Sequence, residues 1–159
     1  MPKESVVAKE IKQKKPFSSL EEETYVALLR TTDALSFGAI ELFKDYSISP
    51  TQYNVLRILR GSEPCGRRCG EIAERMVTRD PDITRLLDRM EKSGWITRKR
   101  DQGDRRVVVT KITPKGLDLL KQMDRPLAEF HKRQLGHMGG PKLRRLLELL
   151  NAVRGRCPE

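Results

Sequence analysis

Two neighbouring stretches concentrate side chains whose chemistry suits a polyanion. Arg79, Asp82, Thr84, Arg85 and Arg89 accompany a run in which Ile83, Leu86, Leu87 and Met90 recur at i, i+3, i+4 and i+7. That spacing makes one apolar face of a helix, so the polar residues fall on the other. Arg can donate two hydrogen bonds to guanine O6 and N7, a carboxylate can accept from cytosine N4, and a threonine methyl can pack on that of thymine. Asp82 equally suits the electrostatics of a helix start, and Arg89 equally suits a solvated or salt-bridged position. A little further on, residues 98–106 hold five basic residues (Arg98, Lys99, Arg100, Arg105, Arg106) and two acidic ones, Asp101 and Asp104. Trp95 to Arg98 before them and Val107 to Thr110 after them read as strands, with Asp101-Gln102-Gly103-Asp104 as the turn.

These groups need elements to hold them. Asp80-Pro81 can start the helix, with Asp as cap and Pro in the first position. A helix over residues 70–77, with Ile72, Ala73 and Met76 inward, is too short to stand alone in water. It must pack on the helix that follows the Thr78-Arg79 turn, as a helix–turn–helix pair requires. Upstream, a helix over about 18–44 has Ser18 or Ser19 as cap and Glu21, Glu22 and Glu23 in its first turn. Its stripe is Tyr25, Leu28, Leu29, Thr32, Leu35, Ala39, Leu42 and Phe43. Ser49-Pro50-Thr51-Gln52 is a capping box that opens a helix ending at Gly61. Thr113-Pro114 opens another, which Pro126 is expected to kink. After a break at 136–141, Leu143, Leu146, Leu147, Leu150 and Val153 give the last helix a strongly apolar face. The first long helix, about 40 Å at 1.5 Å per residue, exceeds what one small lobe covers, so part of its stripe should meet another chain or a distant helix.

Composition sets the frame. A chain of 159 residues, 37% hydrophobic and 34% charged, is expected to form one compact domain, or one with an extension, and a core this lean is often completed by dimerising. The net charge of +10 is uneven: residues 1–16 carry +3, 17–56 carry −4, 57–111 carry +6 and 112–159 carry +5. A basic total favours polyanions without deciding the partner. No run of about 18 apolar residues suggests a membrane span. Residues 1–16 have no apolar core of a secretory signal and no periodicity, so they are expected to be a flexible basic arm.

Other chemistries leave little trace. Cys65 and Cys69 flank Gly66-Arg67-Arg68, and basic neighbours can activate a thiol, so a redox role for this pair stays open. Their spacing, with no second pair, does not suit zinc, and Cys157 lies in the tail. The odd cysteine count suits a reducing cytoplasm. No phosphate-binding loop, nucleophile elbow or zinc-protease motif occurs, so neither catalytic residues nor a cofactor nor a metal is expected.

Together these residues resemble the MarR family of winged-helix transcription regulators. Carrying the resemblance are Gly70 to Met76, Asp82 to Glu91, Gly94-Trp95-Ile96, Asp104-Arg105-Arg106-Val107 and Ile112-Thr113-Pro114-Lys115-Gly116, in order and spacing, from about residue 20 to 155. The resemblance implies a mainly α fold with a small β-hairpin wing. Residues 49–113 would form the winged helix–turn–helix lobe, and 17–48 with 114–159 the helical dimerisation region. It implies a homodimer on a double-stranded, pseudo-palindromic operator, usually as a repressor, released by a small aromatic acid or by thiol oxidation. It places the minor-groove arginine at Arg106, with Asp104 to orient it. The expected DNA-contacting set is Arg79, Asp82, Thr84, Arg85, Arg89, Arg98, Arg100, Asp104, Arg105 and Arg106. In the family, ligands sit between the dimer helices and the lobe. Phe37, Tyr53 and Arg57 can line such a pocket, but core packing is the favoured role of the two aromatics, and no ligand residues are assigned. A thiol-based sensor and a winged-helix module that binds protein are the competing readings.

Overall fold

A computed structural model describes residues 5–101, 103–104 and 106–155. The chain divides into two compact units, residues 1–42 and 43–159.

In the first unit, α1 (Val6–Glu10) is a single helical turn capped by Ser5, whose hydroxyl accepts from Ala8 N at 3.2 Å. Val7 is buried, and Glu10 lies 3.8 Å from Arg30 of α2 (Leu20–Asp45). Residues 6–10 are therefore helical where a structureless arm was expected. Periodicity cannot reveal one turn, and a single buried valine suffices to seat it. At the start of α2, the Ser19 hydroxyl accepts from Glu22 N, and Glu22 accepts from both the backbone and the hydroxyl of Ser18. These bonds, the Ser18 hydroxyl first, hold the Glu22 carboxyl below the usual range. Tyr25, Leu29 and Phe37 on α2 are exposed.

The second unit is built around α3 (Pro50–Arg60), whose Val55, Leu56 and Leu59 are at most 1% exposed. The capping box forms as its sequence predicts: Gln52 N donates to Ser49 Oγ at 3.1 Å and Ser49 N to Gln52 Oε1 at 2.9 Å. Next come β1 (Arg67–Arg68), α4 (Cys69–Arg75), α5 (Ile83–Lys92), β2 (Ile96–Arg100) and β3 (Val108–Ile112). The sheet order is β1-β3-β2, all antiparallel, with Arg98 opposite Thr110 and Arg67 also opposite Thr110. The third strand is two residues long and was unread in the sequence. Gly66 lets it approach: its φ is +79°, and a Cβ there would lie 2.5 Å from Thr110 O. On α4, Ile72 is buried but Ala73 is exposed, contrary to expectation, because the helix stops at Arg75 and turns a narrower face inward. Leu86, Leu87 and Met90 of α5 fill the core as their spacing requires.

Helix α6 (Pro114–Leu135) starts at Thr113, whose hydroxyl accepts from Gly116 N and donates to Gly94 O. A Cβ on Gly116 would lie 2.4 Å from Trp95 O, so only glycine lets α6 meet the strand entry this closely. The helix runs unbroken through Pro126. Proline removes the N–H that would bond the carbonyl four residues back, and the Tyr46 hydroxyl donates to that carbonyl, Gln122 O, at 3.4 Å. Arg60 of α3 grips Asp124 of α6 through two bonds of 2.8 and 3.0 Å. A short 3-10 turn (Gly136–Met138) leads to α7 (Gly139–Arg154), where no described residue is buried and Leu147, Leu149 and Val153 are about half exposed.

Candidate nucleic-acid interface

The recognition element begins two residues later than its sequence suggests. Asp82, not Asp80, caps α5: its Oδ1 accepts from Arg85 N at 3.2 Å. Asp80 accepts from Asp82 N at 2.8 Å and so shapes the turn before the cap. The other Asp82 oxygen holds Arg85 Nε at 3.1 Å, although the Arg85 side chain is 84% exposed. An exposed pair of this kind contributes little and separates easily, so Asp82 does not lock Arg85 in place. Asp82 is correspondingly a cap and a guide for Arg85 rather than an open acceptor. Thr84 and Arg89 are exposed on α5, as is Arg79 on the connector before it. That connector is pinned by Asn54 of α3, whose Oδ1 accepts from Val77 N at 2.8 Å. Asn54 drew no attention in the sequence, since an isolated Asn in a helix signals nothing by spacing.

The wing tip is organised by its aspartates. Asp101 Oδ1 accepts from Gly103 N at 2.9 Å and Asp104 N at 3.2 Å, and Asp104 Oδ1 accepts from Arg106 N at 2.9 Å. Asp101 N to Val107 O and Val107 N to Asp104 O, both 2.9 Å, close the turn. Asp104 thus fixes the Arg106 backbone, and the Arg106 side chain is exposed with no bonded partner among the described residues. Arg100 is exposed at the end of β2. Arg105 lies outside the described residues.

Arg98, also in the expected set, is engaged within the chain. Its backbone N and its Nε each donate to Glu91 at 2.9 Å, and its Nη2 reaches Glu91 and Asp88. Burial works against its charge, but the Glu91 and Asp88 bonds outweigh that, so its pKa is raised. The side chain turns back onto α5, with its Nε and Nη2 engaged by the two carboxylates. The signal was present: Asp88 and Glu91 are i, i+3 neighbours on the polar face of α5, facing an inward-alternating position of β2.

Elsewhere, Cys65 and Cys69 are free thiols, the first exposed and the second half-buried. Cys65 borders a bay of about 470 Å³ with Thr97, Lys99, Arg100, Val109 and Lys111. Tyr53 packs on Phe43 with ring centres 5.2 Å apart and accepts a hydrogen bond from Arg57 at 3.1 Å. Phe37, by contrast, is 71% exposed and does not pack in the core of the single chain. No group of three or more potential metal ligands occurs among the described residues, and none of their helices is long and apolar enough to cross a membrane.

Comparison with known proteins agrees with this geometry. The MarR family model matches residues 48–108. A helix–turn–helix transcriptional regulator of Bacillus subtilis, YfiV, is 33% identical over 134 residues, 84% of this chain and 75% of that protein. The crystal structure of a MarR transcription factor from Planctomyces limnophilus is 40% identical, with a TM-score of 0.66 over 86% of this chain and 99% of that one. The transcriptional repressor CouR, bound to a 23-mer DNA duplex, is 26% identical, with a TM-score of 0.73 over 91% of this chain and 100% of its own.

Proposed function

The chain belongs to the MarR family of DNA-binding transcriptional regulators, and from that premise we propose that it is a homodimeric, cytoplasmic repressor that reads a pseudo-palindromic operator and leaves it on binding a small ligand. The observation that carries the reading is the pairing of a capped recognition helix, exposing Arg85, with a wing tip that presents an Arg106 side chain bonded to none of the described residues. Affinity in such a complex comes chiefly from neutralised phosphates, and specificity from base edges. Arg85 suits a guanine in the major groove, and Arg106 suits the negative potential of a narrow minor groove. The solved DNA complex of CouR supports the repressor reading by analogy.

Dimerisation is supported by the exposed leucines of α7 and the exposed stripe of α2, apolar surface that a monomer would leave in water. On this reading, residues 17–48 and 114–159 form the dimerisation region and 49–113 the reading lobe. Ligand control is supported by a cleft of about 330 Å³ lined by Tyr53, Asn54, Arg57, Met76, Val77 and Thr78, where a guanidinium sits 5.9 Å from a tyrosine ring centre. A small aromatic acid suits that chemistry. Footprinting of bound sites across the genome tests the whole reading. An inverted repeat with half-sites about one helical turn apart is expected; bound sites sharing no motif would refute it.

A further inference from the structure

We propose that Arg98 is a positioning residue, a strut that fixes the wing's angle to the recognition helix and thereby sets where Arg106 lands. The inference rests on the DNA-binding reading above. Three observations carry it. First, Arg98 joins two elements that no other hydrogen bond or ion pair between described side chains joins: Glu91 and Asp88 are on α5, and Arg98 is the middle residue of β2. Second, the strut acts at the base of the wing. Arg98 faces Thr110, which is 1% exposed, and the ladder beyond continues only to Arg100 opposite Val108. Third, the tip is held by its own bonds, through Asp101 and Asp104, with no bond back to α5 among the described residues. The hairpin therefore moves as a rigid lever. At about 3.3 Å per residue its tip stands roughly 10 Å beyond the strut, so a rotation of about 10° displaces Arg106 by about 2 Å. A hydrogen bond fails over that distance.

Charge makes the proposal testable by sign. Asp88 and Glu91 are each about 40% exposed, and removing two negative charges from a DNA-binding face ordinarily strengthens binding. If Arg98 itself contacted DNA, freeing it would strengthen binding further. The strut predicts the reverse.

The probe is a duplex that the wild-type chain selects from a randomised library. Fluorescence anisotropy compares wild type with the double variant Asp88→Asn, Glu91→Gln, each also in an Arg106→Ala background. Expected is a loss of about fivefold or more in the native background, on the scale of one DNA contact, and less than about twofold once Arg106 is gone. Arg98→Met should behave alike in both backgrounds. Equal or tighter binding by the double variant, or the same loss with and without Arg106, overturns the strut. Circular dichroism melts guard against misfolding. If the double variant is unfolded at the assay temperature, Asp88→Asn alone, which leaves Glu91 on Arg98, is scored by the same two criteria. Failure of the wild type to enrich any duplex would refute the underlying DNA reading, which is a different result.

Discussion

Asp82 uses both carboxylate oxygens inside the protein, one on Arg85 N and one on Arg85 Nε, and on the DNA-binding reading Arg85 is the residue proposed to reach a base edge. Arg85→Ala should therefore cost about 1–3 kcal/mol of discrimination at one base pair of the selected duplex, and leave binding to random duplex nearly unchanged. A uniform loss on all sequences would make Arg85 a phosphate contact. Arg106→Ala should instead weaken binding to the selected duplex by about 1–3 kcal/mol, and unchanged binding at physiological salt would remove the wing tip from the interface. At this scale the sequence was legible where chemistry is local. Arg85 is exposed on α5 and Arg106 at the wing, where the sequence puts them, and Asp104 does hold the Arg106 backbone. It was illegible where a partner comes from another element. Arg98 reads as one more basic wing residue until Glu91 and Asp88 are seen to hold it. Asp80-Pro81 carries the composition of a helix start, yet the cap is two residues later because Asp80 is engaged in the preceding turn.

Elements assembled largely as their spacing required. Long apolar stripes specify helices whatever surrounds them, as in α5, and capping sequences such as Ser49-Gln52 and Thr113-Gly116 fix where others begin. The unread pieces are short and depend on distant partners: β1 exists because Gly66 can approach Thr110, and α1 because Val7 finds cover. At position 126 the helix continues through proline, and Tyr46 bonds the carbonyl, Gln122 O, that proline leaves without its N–H partner. The join between α3 and α6 carries a pH prediction. The Arg60 hydrogen bonds hold Asp124 below the usual carboxylate range. A depressed carboxyl contributes stability above its unfolded pKa and loses it as pH falls through the folded value. With Asp124 about half exposed, the pair should contribute about 0.5–1 kcal/mol at neutral pH. Arg60→Met should be less stable than wild type by that amount in urea at pH 7, and the gap should start to shrink below roughly pH 4 and close as pH falls through the depressed folded value. A gap that does not change with pH would show that the arginine acts by packing alone.

For the whole molecule, the exposed faces of α2 and α7 matter more than any single contact. A chain with Leu147→Glu and Val153→Glu should run as a monomer in light scattering where wild type runs as a dimer, and should bind the selected duplex at least tenfold more weakly, because one reading head loses the linked second site. A wild-type monomer at micromolar concentration would contradict this. The sequence made these faces visible but not their arrangement, because apolar residues at helical spacing do not say whether the cover is the same chain or a second copy. The most direct test of the central claim, a paired reader of one DNA sequence, is selection of duplexes from a random pool by the wild-type chain at physiological salt. The account predicts enrichment of one inverted repeat with half-sites about one helical turn apart, bound by two chains. A retained pool indistinguishable from the starting pool would contradict it.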